Sequence, residues 1–486
     1  MKKSILFVGN SYTFYHDMPQ CIFAPMAAEA GYEMDVRSVT CGGYKLEWYA
    51  DQENAEGKRL REVIADRHFD CIVLQDHSQS TITDPAGFFS GIRAVKTLLE
   101  EHTDRFVLYS TWARKPGCPT LDEIGMTPRE MTRHIAEHYD EAARRFRMEV
   151  AHVGRAFEAY SLEHPEAELY FEDLHHSSAL GSTIAAETIL STVTGLSVEA
   201  IRFRCAAGRA DRTRNAATVH PEGVRCIPDI PYGPHGIWNL LDLHKPEGAE
   251  ERLPVIVSIH GGGYVYGTRG IYHHYCADLA RRGFAVVNFN YRLAPEAKFP
   301  AQLEDISAAF RWVKENAEAY GLDLDRLFVV GDSAGAQLAS QYAAMVADRD
   351  YAALFDFEVP DIRIRGLGLN GGMFDLPEKL ASPTFRLGRD YLGEGFDLSN
   401  PRLDVFAHIG EGYPPCHITT ATGDFNRPGA EPFACLLRER GIDAEVRCYG
   451  REGERELGHV FHVDIRLEEA KVCNDAQCAF FTKYMY

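Results

Sequence analysis

Two serines in this chain stand where a hydroxyl can be made into a nucleophile. Ser333 lies in Gly331-Asp332-Ser333-Ala334-Gly335, entered directly from the apolar run Leu327 to Val330. A serine held in a sharp strand-to-helix turn lifts its hydroxyl above a parallel sheet, and glycines flank it because larger side chains would clash inside the turn. Upstream, His260-Gly261-Gly262-Gly263 follows the strand-like Val255 to Ile259. Residues without side chains leave backbone N–H groups facing an oxyanion, and the Ala334 N–H completes the hole. Asp332 reads as a packing residue or a charge at the start of the helix. The reaction also needs a carboxylate and an imidazole. Cys416 to Thr422 reads as a strand ending at Gly423-Asp424, which delivers Asp424 as the acid at the carboxyl end of the sheet. Val446 to Tyr449 is the next strand, followed by a polar loop and Gly458-His459-Val460-Phe461-His462, where His459 and His462 both stand open as the base. Such a set performs acyl transfer: the imidazole takes the serine proton during attack and returns it to the leaving alcohol, and water then releases the acyl group.

The second serine is at the other end. Ser4 to Val8 is a short apolar strand running into Gly9-Asn10-Ser11-Tyr12-Thr13, with helix-like sequence from about Pro19 to Gly31. Val39 to Gly43 ends in a glycine pair, and Cys71 to Leu74 is a strand delivering Gln75-Asp76-His77-Ser78. Later come Asp173-Leu174-His175-His176-Ser177 and a helix from Gly181. Asp76 and His77 carry no assigned role, and Trp112, at a strand end, fills core or walls the cleft.

From about Val224 onward the chain resembles the α/β-hydrolase esterases related to hormone-sensitive lipase, including bacterial short-chain and carbohydrate esterases. The resemblance rests on Ile230-Pro231-Tyr232-Gly233, Tyr291-Arg292-Leu293-Ala294-Pro295-Glu296, Phe299-Pro300-Ala301 and Asp305, besides the two glycine motifs. It implies Ser333 as nucleophile, Asp424 as orienting acid, His459 as base, and Gly261, Gly262 and Ala334 as oxyanion donors. Asn426 departs from the pattern, standing where relatives often carry an apolar residue. The N-terminal pieces, in their order, resemble the SGNH (GDSL-like) hydrolases. That resemblance implies Ser11 as nucleophile, His176 as base, Asp173 as orienting acid and Gly43 as a backbone oxyanion donor, with His175 a neighbour. Here Asn10 replaces the usual Asp, and Gln75 stands where an Asn side chain usually donates to the oxyanion. A Gln amide makes that bond only if the backbone retreats by a methylene.

At 486 residues the chain has room for two domains, each with its own core. Both halves alternate strands and helices, which predicts two three-layer α/β/α domains, a flavodoxin-like sheet and an α/β-hydrolase sheet. The expected boundaries are 1–200 and 224–486, with 201–223 as linker because Ala206 to Asn215 is polar and lacks apolar periodicity. A large helical cap is not expected. Residues 350–360 and 374–415, with Tyr391, Phe396 and Phe406, would make a modest lid over a cleft open enough for a sugar.

A net charge of −20 argues against nucleic acid and anionic membranes as partners. Lys2-Lys3 and the following apolar run start like a signal peptide, but Gly9-Asn10-Ser11 interrupts it, so the expected compartment is the cytoplasm. The 12 cysteines show no paired metal spacing and read as reduced thiols; Cys41, beside the glycine pair, has no base to pair with. No metal and no cofactor are expected. The expectation is a bifunctional serine esterase removing O-acetyl groups from xylan- or mannan-derived oligosaccharides, or acting on another small ester. The alternative is a single-site short-chain carboxylesterase built on Ser333 with a non-catalytic carbohydrate-binding or scaffolding N-terminal domain.

Overall fold

A computed structural model describes residues 2–249, 251–381, 387–451 and 457–486. They form two compact units, one ending at Gly208 and the other beginning at Arg209. In the first, β1 (Lys3–Gly9), β2 (Met34–Thr40), β3 (Cys71–Leu74), β4 (Phe106–Tyr109) and β5 (Glu149–Ala151) pair in the order β2-β1-β3-β4-β5. Every pairing is parallel. Ile5 to Val8, Cys71 to Leu74 and Phe106 to Tyr109 are buried throughout. Unbroken apolar strands of this kind are covered by helices on both faces. The order reverses at β1, because β2 and β3 flank it on opposite sides. Loops leaving β1 and β3 therefore diverge and open a crevice at their carboxyl ends, where Gly9-Asn10-Ser11 and Gln75-Asp76 emerge.

In the second unit, β6 (Val224–Pro231), β7 (Leu240–Pro246), β8 (Leu253–Ile259), β9 (Ala285–Phe289), β10 (Leu322–Asp332), β11 (Gly366–Asn370), β12 (Cys416–Ala421) and β13 (Ala444–Tyr449) make one sheet. Its order is β13-β12-β11-β10-β8-β9-β7-β6. Only the β6–β7 and β7–β9 pairs are antiparallel. β10 is central and ends at Asp332, so Ser333 sits at the carboxyl edge of the sheet, at the start of the helix Ala334–Ala347.

The segment expected as linker, 201–223, is helical as far as Ala216. Val198–Ala216 is one helix, and the boundary between the units falls within it. Its first half buries Ala200, Ile201 and Cys205 on one face, and beyond Gly208 the alanines and arginines favour helix without an apolar stripe, where periodicity alone suggests a connection. Among the described residues no single helix is long and apolar enough to cross a membrane.

Candidate active sites

In the first unit the turn after β1 is built by two amides. Asn10 accepts from the Tyr12 N–H at 3.1 Å, capping the one-turn helix Ser11–Phe14, and its own amide donates to the Tyr44 carbonyl at 2.9 Å. Gln75, at the end of β3, accepts from the Asn10 N–H and from the Thr13 hydroxyl, both at 2.9 Å. A Cβ at Gly9 would come within 2.5 Å of Thr13 Oγ1 and 2.7 Å of Gln75 Oε1, so glycine is needed there.

Asp173 and His176, expected as acid and base, arrive together on the segment before the helix Ala179–Thr194. Leu174, at φ +64°, folds the chain so that Asp173 Oδ1 accepts from the backbone N–H groups of His175 (3.1 Å) and His176 (2.9 Å). Asp173 Oδ2 faces His176 Nδ1 at 2.6 Å, and His176 Nε2 faces Ser11 Oγ at 2.7 Å. With the imidazole proton on Nδ1, directed at the carboxylate, Nε2 is free to accept the serine proton. Partial burial favours the neutral acid, but hydrogen bonds from the His176 ring and from both backbone amides outweigh it and hold the Asp173 carboxyl down at about 2. Trp112 is core: fully buried, it stacks on Phe157 at 4.3 Å and donates from its indole to the His175 carbonyl at 3.0 Å. The Tyr15 ring lies flat on His176 at 4.1 Å, a contact that no sequence motif announces. His175 faces the Tyr12 hydroxyl at 3.4 Å rather than Ser11.

Gln75 corrects its expected role. It is 1% exposed, its oxygen faces Asn10 and Thr13, and its amide nitrogen donates to the Asp76 carbonyl, so the amide shapes the turn instead of facing an oxyanion. The extra methylene that would have to be absorbed by the backbone is used to reach across to β1. Two backbone donors remain: the Ser11 N–H, first of its turn and so without an intrahelical partner, and the Gly43 N–H, which makes no hydrogen bond among the described residues. Asp76 is equally structural, accepting from the Leu46 N–H at 2.7 Å.

In the second unit Ser333 adopts φ 52° and ψ −118°, outside the ordinary regions for a residue with a side chain. Its N–H donates to the Asn370 carbonyl at 2.8 Å. A Cβ at Gly331 would stand 2.3 Å from the Gly335 carbonyl oxygen, and one at Gly335 would stand 2.1 Å from that of Ile259. Both glycines are therefore forced by close backbone approach. His459 Nδ1 faces Asp424 Oδ1 at 2.8 Å, and Asp424 also accepts from the Asn426 N–H at 2.9 Å. Burial acts to raise the Asp424 carboxyl, but the hydrogen bond and charge of His459 outweigh it and lower it. His462 is buried against Tyr275 and pushed down to about 3 by that burial; Asp424 bonds to His459.

Asn426, the departure from the family pattern, has a structural use: its amide donates to the Gly371 carbonyl at 2.9 Å, tying the acid loop to the end of β11. Gly371, at φ +57°, carries no Cβ because one would lie 2.7 Å from Asp424 Oδ2 and 3.2 Å from the His459 ring. The chain around the acid and base thus touches the residue next to Asn370, which itself holds Ser333. Among the described residues the Ser333 hydroxyl makes no hydrogen bond, whereas the Ser11 hydroxyl already faces the His176 ring. Hydrogen bonds of this kind often tighten only when substrate binds.

Gly261 is a second correction. Its N–H donates to Asp332 Oδ1 at 3.1 Å and to the Tyr272 hydroxyl at 3.2 Å, so it is spent inside the protein. Burial pushes the Asp332 carboxyl up to about 6, against the Tyr272 hydroxyl and Gly261 N–H bonds that lower it. Gly262, Gly263 and Ala334 remain as donors, the last as the first residue of its helix. The expected lid is mostly wall. Tyr391 is fully buried and stacks on Tyr264 at 3.7 Å, Phe396 meets Phe299 edge-on, and Phe406 joins Phe433 and Phe374 in a stack. Residues 382–386 of that segment, and 452–456 of the polar loop before His459, lie outside the described residues. A cavity of about 480 Å³ opens beside Phe374, Phe406, Phe425, Asn426 and Phe433, and Phe425 packs on the His459 ring at 4.1 Å.

A strained serine at the head of a helix, with an Asp–His pair carried on the loops after β12 and β13, defines the second unit as a serine carboxylic ester hydrolase. The family described as alpha/beta hydrolase fold matches residues 256–463. Esterase LipI of Mycobacterium tuberculosis is 33% identical over 267 residues, spanning 51% of this chain and 78% of the relative. Carboxylesterase NlhH of the same organism is 33% identical over 227 residues, 42% of this chain and 66% of the relative. The crystal structure of esterase B from Lactobacillus rhamnosis aligns with a TM-score of 0.54 at 24% identity, over 58% of this chain and 94% of its own. The chain belongs to the alpha/beta hydrolase fold family.

Proposed function

We propose that the chain carries two independent serine esterase centres and removes O-acetyl groups from plant-type oligosaccharides. At the first, Ser11 attacks the acetyl carbonyl while His176 takes its proton, Asp173 fixes the imidazole tautomer, and the Ser11 and Gly43 amides hold the oxyanion. At the second, Ser333, His459 and Asp424 take the same parts, with Gly262, Gly263 and Ala334 as amide donors. Each cycle consumes one water and yields acetate and a free sugar hydroxyl. The observation carrying the two-centre reading is the unbroken line Ser11 Oγ, His176, Asp173, with spacings of 2.7 and 2.6 Å. One fixed nucleophile cannot meet esters at every ring position, so two differently shaped centres would extend the range of positions deacetylated.

The cavity of about 480 Å³ lined by phenylalanines favours a second reading of the Ser333 centre, as a short-chain carboxylesterase for small lipophilic esters. The discriminating experiment assays Ser11→Ala, Ser333→Ala and the double variant on an aryl acetate and on acetylated xylo- and manno-oligosaccharides. The proposal predicts that each single variant leaves a different set of acetyl groups in place. Cleavage of aryl esters only would remove the carbohydrate substrate, and oligosaccharide products untouched by Ser11→Ala would remove the first centre.

A further inference from the structure

The antiparallel edge of the second sheet gathers four side chains that the ester chemistry does not use. Cys226 on β6 and His244 on β7 are directly opposed register partners. Asp242 lies two residues before His244, hence on the same face of β7. The helix Arg269–Ala280 supplies His273, whose ring centre lies 4.9 Å from that of His244. One donor atom from each of Cys226, Asp242, His244 and His273 falls within 4.8 Å of every other.

His244 is the independent sign of a ligand. It is 0% exposed, and neither of its ring nitrogens has a hydrogen-bond partner. Buried polar atoms are normally paired, so an imidazole with two bare nitrogens among other donors asks for something to bind. Asp242 is half committed: its Oδ1 accepts from Arg269 Nη1 at 2.6 Å and from the Asp229 N–H at 3.0 Å, which orients the carboxylate and leaves Oδ2. His220 stacks on His273 at 4.8 Å and backs the cluster from outside.

We propose that Cys226, Asp242, His244 and His273 form a structural zinc site that clamps the β6–β7 hairpin to the helix Arg269–Ala280. One thiolate, two imidazoles and one carboxylate are four protein ligands, the closed number of a structural site, and the nitrogen and sulfur donors select zinc over calcium or magnesium. The clamp would brace the helix that follows the 260–268 loop, and with it the glycine amides beside Ser333. His244 is fully buried with no carboxylate bonded to its ring, and as a neutral imidazole it has a lone pair to offer. Zinc takes the thiolate, so binding releases the Cys226 proton and affinity must rise with pH.

The test uses the full chain, stripped with a chelator and titrated with zinc, then with cobalt(II) as a spectroscopic stand-in. Expected are one zinc per chain, a thiolate-to-cobalt charge-transfer band with tetrahedral visible bands, and a Tm raised by roughly 5–10 °C at saturating zinc. Cys226→Ser should abolish the charge-transfer band and weaken zinc binding by at least about 10-fold. His244→Gln should do at least as much. His176→Ala must leave the stoichiometry at one, because Asp173, His175 and His176 form a separate group able to hold an ion. Loss of the zinc in His176→Ala, unchanged affinity in Cys226→Ser, or no stoichiometric binding by the wild-type chain would each overturn the site. Should His244→Gln fail to fold, the wild-type and Cys226→Ser titrations decide alone.

Discussion

The two proposed serine centres differ in which part is finished in the free protein. Around Ser333 the backbone is the finished part: a strained serine, two glycines forced by contacts under 2.5 Å, and an Asp–His pair, with the serine–base bond still to be made. Around Ser11 the hydrogen-bond line is complete from hydroxyl to carboxylate, on a turn shaped by the Asn10 and Gln75 side chains. Close backbone approach leaves a strong sequence signature because only glycine fits it. A side-chain network leaves a weak one, because many residues can cap a turn.

The largest effect expected is on the nucleophiles. In a Ser333→Ala background, Ser11→Ala or His176→Ala should lower remaining deacetylation by roughly 10⁴-fold or more, read as kcat on the better oligosaccharide substrate. A drop under tenfold would mean that Ser11 is not a reaction centre. Next comes Gly371→Ala, which places a methyl group against Asp424 and His459 at a positive φ. It should cut Ser333-dependent kcat by about 100-fold while leaving Ser11-dependent turnover unchanged. Equal losses at both centres would deny their independence.

Gln75→Leu tests whether that amide builds the first turn. It leaves the Asn10 N–H and Thr13 hydroxyl unpaired, so chemical denaturation should show the first unit about 1–3 kcal/mol less stable. Unchanged stability with a selective fall in kcat would return Gln75 to the oxyanion. The remaining effects are in pH, and their signs oppose. Asp332 is fully buried with its pKa raised to about 6, so between about pH 4 and 6 the folded chain holds a proton that the unfolded chain has lost. Stability of the second unit should therefore fall as pH rises through that window, by up to about 3 kcal/mol, and Asp332→Asn should flatten the slope. Asp173 is held down at about 2, so its contribution is present above about pH 4 and is lost as pH falls towards 2. Unfolding midpoints measured against pH for each single Asn variant separate the two.

Legibility followed the same division. Ser333 and its glycines were readable because close backbone approach dictates residue type, and Asp424 because it ends a strand. Choosing His459 over His462 needed the family resemblance, since two histidines three apart on a loop look alike until one is buried away from the acid. Gly261 and Gln75 depart from expectation for one reason: a donor's identity shows in the sequence, but its partner does not, and the Asp332 carboxylate and the Asp76 carbonyl take these two N–H groups first. The helix Val198–Ala216 was missed because propensity without periodicity resembles a linker. Tyr15 on His176 and Phe425 on His459 had no signal, being contacts between distant segments of chain.

The most direct test of two centres in one chain is covalent labelling with a small fluorophosphonate, followed by intact-mass and peptide mass spectrometry. Two adducts on the wild-type chain are predicted, on Ser11 and Ser333, with one on each single alanine variant and none on the double. A single adduct on wild type, confined to Ser333 under conditions that saturate it, would contradict the account.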